Sequence, residues 1–206
     1  MENPWKNISL SDYENHMKLD TVMQLQTLNT IMKKQLDSYP VDSVMILGIA
    51  GGNGLENVDT DKYNIVYGVD INQEYLKEAG ERYCSLGERL KLLCIDIVSE
   101  HDRLPCAEFI IADLIIEYIG YEVFQMVIRQ VEPKYVSCGI QVDTNENFVS
   151  DSPYLHSFDG LNSIHHCIEA DKLSDAMRSI GYYSISVEEY ELPNGKKLIK
   201  TDYMKK

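Results

Sequence analysis

Short apolar runs alternate with segments of helical periodicity along most of the chain. Residues 20–37 place apolar side chains three and four positions apart, which predicts a helix with Asp20 as its N-cap. Further along, short apolar runs predict buried strands, and the stretches between them, 72–87 and 114–129, predict helices. The predicted strands lie within residues 41–54, 64–70, 90–96, 108–113 and 134–143. Strands that alternate with helices indicate a mostly parallel sheet covered on both faces.

The carboxyl-terminal part of the chain has a different pattern. Residues 169–182 predict a helix that ends at Gly181, and two β-type segments follow, joined by the turn signal Pro193-Asn194-Gly195. The resulting fold class is α/β: a single Rossmann-like domain with a mostly parallel, seven-stranded sheet and an antiparallel C-terminal hairpin. Residues 1–40 are expected to form an N-terminal lid and helix of the same domain, and residues 41–206 its core.

Charge and cysteine content narrow the range of partners. The 206-residue chain has 33 Asp and Glu against 19 Lys and Arg, a formal charge of −14. Such a surface repels phosphate backbones and anionic lipids, so neither a nucleic acid nor a membrane is expected as a partner. The five cysteines are widely spaced, without a Cys/His cluster of zinc spacing, so we expect no metal and reduced thiols in a cytoplasmic protein. The oligomeric state stays open.

A glycine-rich loop follows the first predicted strand. In Gly48-Ile49-Ala50-Gly51-Gly52-Asn53-Gly54 the backbone can turn sharply and approach a ligand, and helix-start N–H groups there are expected to favour electron-rich ligand atoms. Asp70 ends the next strand, 18 residues after Gly52. A carboxylate there can accept hydrogen bonds from both hydroxyls of an adenosine ribose. Loop, acid and strand–helix alternation together predict a nucleoside-type ligand.

Four segments resemble the motifs of the class I S-adenosylmethionine-dependent methyltransferases: VMILGIAGGNG, VYGVDIN, CIDI and FIIADLIIEYIG. The resemblance extends from about residue 41 to the end of the chain, and the terminal hairpin is also typical of that fold. It implies S-adenosylmethionine as the cofactor, with the glycine loop beside its methionine half and Asp70 on its ribose. The cofactor-binding residues that the resemblance implies are Gly48, Ala50, Gly52, Asp70, Ile71, Asp96, Ile97 and Asp113.

Three departures from the family pattern concern the same loop. Ile46 stands where the family often has an acidic residue, so one anchor near the amino group of the cofactor is missing, and backbone carbonyls would have to replace it. Ala50 stands where a second glycine is usual, which costs little if its φ is negative. The short interval between Gly54 and the next strand permits only a stunted first helix.

Methyl transfer from a sulfonium depends mainly on positioning, and a general base is needed only when the acceptor must lose a proton early. The catalytic residues are therefore unknown, with Asp113, His165 and His166 as candidate bases. Asp113 is equally well interpreted as the N-cap of the helix after it. The two histidines close a long segment, 144–168, where this fold places acceptor-binding residues.

Four other residues are weaker candidates for the acceptor site. Glu117 and Tyr118 either face the acceptor or line their helix, and Tyr13 and His16 either close over the site or only pack the N-terminal segment. We expect a methyltransferase that acts on an unidentified small molecule, partly apolar or cationic. The alternatives are an NAD(P)-dependent oxidoreductase and a non-catalytic cofactor-binding protein of the same fold.

Overall fold

The computed structural model of the protein describes residues 3–142 and 149–206. Its strands are β1 Ser43–Leu47, β2 Ile65–Asp70, β3 Leu90–Cys94, β4 Phe109–Asp113, β5 Tyr135–Val142, β6 Tyr182–Glu191 and β7 Lys197–Lys205. Its α-helices, over the same residues, are α1 Leu10–Met17, α2 Gln24–Ser38, α3 Gln73–Arg82, α4 Ile97–Glu100, α5 Ile116–Val131 and α6 Ala170–Ser179.

The strands form one seven-stranded sheet in the order β3-β2-β1-β4-β5-β7-β6. Strands β1 to β5 pair in parallel, and β7 is antiparallel to both β5 and β6. The predicted fold class is thereby confirmed, including the antiparallel C-terminal hairpin. The strand order reverses direction between β1 and β4, and open α/β sheets bind ligands outside the carboxyl ends of the strands at such a point.

Alternating side chains of the central strands enter two apolar layers. In β1, Val44 and Ile46 belong to the cluster that contains residues of α2 and α3, whereas Met45 and Leu47 belong to the cluster under α5 and α6. All four side chains are buried. Burial on both faces explains why the parallel strands are continuous apolar runs in the sequence rather than alternating ones.

The C-terminal hairpin forms as its turn residues predict. Gly195 has a φ of +79°, which glycine adopts without steric cost, and the Leu192 N–H donates to the Lys196 carbonyl at 2.9 Å. A β-bulge shifts the register between Ser184 and Ser186 of β6, the edge strand. Helix α6 ends just before Gly181, as predicted.

The N-terminal region differs from the prediction. The helix predicted for 20–37 begins only at Gln24, and its N-cap is Met23 in a left-handed conformation rather than Asp20. An additional helix, α1, precedes it, and the Ser9 hydroxyl caps α1 by accepting from the Asp12 N–H at 3.1 Å. Helix α1 is only two turns long, too short for its periodicity to stand out from the sequence.

None of the helices in the two described ranges combines the length and the apolar character needed to cross a bilayer.

Candidate functional site

A cavity of about 650 Å³, the main cavity, lies at the carboxyl ends of the strands. Four strand ends contribute to its wall, each with residues that the sequence singled out. They are Gly48 and Ala50 after β1, Asp70 and Ile71 at β2, Asp96 and Ile97 after β3, and Asp113 at β4. The position is the one that the reversal in strand order predicts for a ligand.

Gly52 is the exception among the predicted cofactor residues. The structure places it behind the loop, where a Cβ atom would lie 2.7 Å from the Tyr83 ring, and not in the wall of the main cavity. Its φ of +86° is left-handed, and its N–H donates to the Ile49 carbonyl at 3.0 Å. Gly52 therefore allows the loop to turn and to pack against Tyr83, which is a structural reason for glycine at this position.

The backbone of the glycine loop is strained at Ala50. Its φ is +48°, so the condition under which alanine costs little here is not met, and the conformation costs about 1–2 kcal/mol for a residue with a Cβ. The segment after the loop is a single 3-10 turn, Leu55–Asn57, as the short interval predicts. No α-helix begins here, and the N–H groups of Gly52 and Leu55 donate within the loop, to the carbonyls of Ile49 and Gly52, both at 3.0 Å.

The Asp70 carboxylate holds the strained loop in place. Its Oδ2 accepts from the Ala50 N–H and its Oδ1 from the Asn72 N–H, both at 2.9 Å. Burial raises the pKa of Asp70, and the backbone N–H groups oppose that rise. Each carboxylate oxygen has two lone pairs, so each retains one acceptor site after these bonds.

Asp113 does not cap the helix after it. The N-cap of α5 is Ile115, with no side-chain hydrogen bond, so the alternative interpretation of Asp113 as an N-cap is wrong. Its Oδ1 instead accepts from Gln35 Nε2 at 2.9 Å, and its buried Oδ2 makes no hydrogen bond to any described residue. Burial raises the pKa of Asp113 to about 7, although the Gln35 amide opposes the rise. The next residue, Leu114, is left-handed with a φ of +53°.

A hydrogen-bonded network continues from Asp113 through the sheet. Gln35 Nε2 also donates to the Ser137 hydroxyl at 3.0 Å, and Ser137 donates to Asp202 Oδ1 at 2.5 Å. The other oxygen of Asp202 accepts from Lys200 Nζ at 2.8 Å. Gln35, Ser137, Lys200 and Asp202 are all buried, so this network fixes Oδ1 of Asp113 from behind.

A second cavity of about 490 Å³, the loop cavity, adjoins the main cavity along the glycine loop. The two share Tyr13, Gly48, Ala50 and Asp113 in their walls. The remaining wall comes from the loop, from α1 and α2, and from β1: Glu14, Leu25, Leu28, Met32, Ile46, Leu47, Ile49, Gly51 and Asn53.

A third cavity of about 570 Å³, the outer cavity, also has Tyr13 in its wall. It shares Trp5, Tyr13, Leu114 and Tyr118 with the main cavity, and two of the candidate residues, His16 and Glu117, also lie in its wall. Glu117 is buried, and its Oε1 accepts from the Gln141 N–H at 2.8 Å. Burial, with the charge of Lys196, lowers the pKa of His16, whose Nδ1 lies 2.8 Å from the Ser152 hydroxyl.

The segment 144–168 contributes to the outer cavity through Val149, Phe158, Leu161 and His165. Residues 144–148 of this segment lie outside the described residues. The His165 ring lies edge-on to Tyr118, with centroids 6.0 Å apart. His166 is exposed, and its backbone N–H donates to the Glu117 carbonyl at 2.6 Å. Of the two histidines, His165 lies in the wall of the outer cavity, and His166 lies in the wall of none of the three cavities described above.

The N-terminal segment covers the main cavity. Trp5 packs edge-on against Tyr118, with centroids 5.0 Å apart, and its carbonyl accepts from Asn72 Nδ2 at 2.9 Å. Glu14 of α1 forms an ion pair with Arg82 of α3, directly over the glycine loop. Sequence reasoning missed Trp5, Asn72 and Gln35. Asn72 had a visible signal as a helix N-cap, whereas the other two depend on tertiary contacts.

No family model matches the sequence. A search of curated protein sequences found no match either. Comparison with solved structures, in contrast, found many similar chains.

One similar structure is magnesium protoporphyrin IX methyltransferase (ChlM) from Synechocystis PCC 6803 with bound S-adenosylhomocysteine, at a TM-score of 0.71 and 9% identity over 98% of this chain and 96% of that one. Another is the N-methyltransferase NodS from Bradyrhizobium japonicum WM9 in complex with S-adenosylhomocysteine. Its TM-score is 0.66 and its identity 11%, over 97% of this chain and 99% of that one. A third is the [4+2]-cyclase SpnF, at a TM-score of 0.66 and 11% identity over 89% of this chain and 82% of that one. The chain therefore has the Rossmann-like fold of the class I S-adenosylmethionine-dependent methyltransferases.

Proposed function

We propose that this protein binds S-adenosylmethionine in the main and loop cavities and transfers its methyl group to a small molecule held in the outer cavity. The observation that carries the proposal is the convergence of seven residues from four strand ends on one cavity, Gly48, Ala50, Asp70, Ile71, Asp96, Ile97 and Asp113. All seven belong to the set that the sequence motifs imply for the cofactor. The shared fold with methyltransferases crystallised with S-adenosylhomocysteine supports the same cofactor.

Each part of the cofactor has a matching part of the wall. Asp70 accepts hydrogen bonds from the ribose hydroxyls with its remaining lone pairs, and Ile71 and Ile97 supply apolar surface for the adenine. Asp96 caps α4 by accepting from the Val98 N–H at 3.1 Å, which holds its carboxylate at the adenine end. The methionine half extends into the loop cavity.

The outer cavity suits a small acceptor. Apolar and aromatic side chains, Met17, Phe158 and Leu161 among them, line it together with a few polar groups, as is usual for small-molecule sites. Three aromatic rings, Trp5, Tyr13 and Tyr118, separate it from the main cavity and would flank the line between the methyl group and its acceptor. His165 is the candidate base on the acceptor side, whereas the exposed His166 is the weaker candidate.

Calorimetry with the purified protein tests the cofactor. We expect S-adenosylhomocysteine to bind and NADH not to bind, and the reverse result would favour the oxidoreductase. For the ribose contact, the wild type should bind S-adenosylhomocysteine at least tenfold more tightly than its 2′-deoxy analogue, because a hydrogen bond to a charged group contributes about 1.5–3 kcal/mol.

Asp70→Ala also removes the partners of two backbone N–H groups, so its affinity alone does not isolate the ribose contact. The informative quantity is the ratio of the two affinities, which should fall to about one in Asp70→Ala and stay unchanged in the control Asp102→Ala, at an exposed position. A ratio that persists in Asp70→Ala would place the ribose elsewhere.

A second candidate is a different reaction or a binding role within the same fold, which the similarity to a [4+2]-cyclase favours. Incubation with S-adenosylmethionine and a panel of small amines, phenols and carboxylic acids distinguishes the two. Formation of S-adenosylhomocysteine that depends on the acceptor supports methyl transfer. Tight cofactor binding without turnover across the panel supports the second candidate.

A further inference from the structure

We propose that the acceptor in the outer cavity is a primary or secondary amine on an apolar body, bound as an ammonium by Glu117 beside the rings of Trp5, Tyr13 and Tyr118. The proposal rests on the proposed function and names the class of substrate for it. The amine nitrogen is then the atom that receives the methyl group. Three features of the wall support this class of acceptor: its charge, the arrangement of its rings and the position of one histidine.

The charged side chains of the outer-cavity wall favour a cation. Among the described residues of that wall, Glu117 is the carboxylate, and none is a lysine or an arginine. Glu117 is buried, and its Oε1 accepts from the Gln141 N–H at 2.8 Å. The two amide side chains of the wall bind each other, since Gln24 Nε2 donates to Gln141 Oε1. A buried carboxylate attracts a positively charged donor strongly and repels an anion, so this wall discriminates against acidic acceptors.

Three aromatic rings form a corner at the boundary with the main cavity. Trp5 lies edge-on to Tyr13, with centroids 5.8 Å apart and planes at 81°, and edge-on to Tyr118, at 5.0 Å and 85°. Rings in different orientations around one space can surround a cation, which their π faces attract. Glu117 and Tyr118 are adjacent in the chain and both lie in the wall, so the carboxylate and the rings border the same part of the outer cavity.

The remainder of the described wall is mostly apolar. Met17, Leu114, Val149, Phe158 and Leu161 line it. A hydrocarbon body that carries one ammonium therefore has complementary surface at both of its ends. A polyhydroxylated ligand, in contrast, would bury hydroxyl groups against hydrocarbon at a cost in free energy.

His16 is placed to take the proton that the ammonium must lose. Its Nδ1 lies 2.8 Å from the Ser152 hydroxyl, and in the tautomer that donates from Nδ1 to Ser152 the other ring nitrogen, Nε2, has a lone pair for a ligand in the outer cavity. Burial and the charge of Lys196, a residue outside the described wall, lower the pKa of His16. The imidazole is therefore uncharged at neutral pH and does not repel the ammonium.

The transfer then balances in charge and atoms. One ammonium proton moves to Nε2 of His16, and the amine lone pair forms the bond to the methyl carbon. The carbon–sulfur bond breaks, and its electron pair stays on sulfur. The methylated amine leaves as an ammonium, and the proton on His16 passes to solvent.

Calorimetry on the protein saturated with S-adenosylhomocysteine tests the class of acceptor with three ligands of one shape: 2-phenylethylamine, 2-phenylethanol and 3-phenylpropionate. At pH 8 the amine is protonated, because the pKa of an alkylammonium lies near that of lysine, about 10.4. The amine should bind at least about tenfold more tightly than the alcohol and the carboxylate, since a hydrogen bond between charged groups is stronger than a neutral one.

Glu117→Gln keeps an acceptor for the Gln141 N–H and removes the charge. In this variant the preference for the amine over the alcohol should fall to about twofold or less. Glu122→Gln, at an exposed position of the same helix, is the matched control and should keep the preference.

Turnover of the amine tests the proton transfer. His16→Gln should lower kcat by about a hundredfold or more and leave the affinity for the amine within about threefold of the wild type. An unchanged kcat would refute the role of His16. Absence of amine turnover in the wild type would refute nitrogen as the methylated atom.

The other outcomes of the binding experiment overturn the proposal. Equal or weaker binding of the amine would refute it and leave the cofactor assignment intact, and so would binding of none of the three ligands or a preference that survives in Glu117→Gln. Failure to bind S-adenosylhomocysteine would refute the proposed function and this proposal together. Should Glu117→Gln fail to fold, Trp5→Leu decides: it removes a ring that attracts only the cation, so the preference for the amine should fall by about threefold or more, and an unchanged preference would overturn the proposal.

Discussion

Replacing Asp113 by Asn should make the free protein more stable above neutral pH than the wild type. Asn has the same shape, and its carbonyl oxygen can still accept from Gln35 Nε2, the bond that Oδ1 makes at 2.9 Å. What the substitution removes is a buried carboxyl group whose ionised form lacks a partner for Oδ2 among the described residues. A residue placed for ligand binding is therefore expected to lower the stability of the unliganded protein.

The size of this stability difference follows from the pKa of Asp113. Burial holds the folded-state pKa of Asp113 at about 7, above its ordinary value of 3.8, so between these pH values the folded protein keeps a proton that the unfolded chain has released. The contribution of this retained proton to the free energy of unfolding is present in full below pH 3.8 and is lost as the pH rises through 7. A tenfold change in proton affinity corresponds to about 1.4 kcal/mol, so the total loss is up to about 4 kcal/mol. About 2.5 kcal/mol of it should fall between pH 5 and pH 8.5.

Urea denaturation at several pH values measures this difference. The free energy of unfolding of the wild type, minus that of Asp113→Asn, should decrease by about 2.5 kcal/mol from pH 5 to pH 8.5, because groups common to both proteins cancel. Asp102→Asn, at an exposed position, controls for the removal of one negative charge from an acidic protein. A difference that stays constant over this range would refute the reasoning, since Asp113 would then ionise equally in the folded and unfolded states.

Three further substitutions test the geometry around the glycine loop, each by urea denaturation. Gly54→Ala should cost about 1–3 kcal/mol more than Gly181→Ala. Both residues have positive φ, but a Cβ at Gly54 would lie 2.6 Å from Met32 and one at Gly181 would meet nothing within 4 Å, so equal losses would contradict the packing argument. Ala50→Gly should raise stability by up to about 1 kcal/mol by relieving the φ of +48°, and a clear loss would show that this conformation is not strained. Asn72→Ala should lower the free energy of unfolding by about 1–2 kcal/mol, because Asn72 caps α3. It should also speed proteolysis of the N-terminal segment, because Asn72 donates to the Trp5 carbonyl, and an unchanged cleavage rate would contradict that anchoring.

Local sequence patterns determined the architecture of the sheet. Two-sided burial makes each parallel strand a continuous apolar run, as in Val44 to Leu47, and Pro193-Asn194-Gly195 specifies the hairpin turn through backbone preferences that act over a few residues. The positions of Asp70 and Asp113 at strand ends followed from the same patterns. Because the parallel strands align their carboxyl ends, these residues had to meet at one edge of the sheet.

Tertiary structure alone decided how those residues are used. Ala50 takes its left-handed conformation where its N–H donates to Asp70, a contact between residues 20 positions apart. The hydrogen-bond donor to Asp113 is Gln35, 78 positions away on α2. Trp5 is held at the main cavity by a hydrogen bond from Asn72 to its carbonyl, between residues 67 positions apart. Periodicity reports which face of an element is buried, not which polar side chain of a distant element it meets. Those pairings, and the burial that shifts the pKa of Asp113, exist only once the sheet, α2 and the N-terminal segment have packed together.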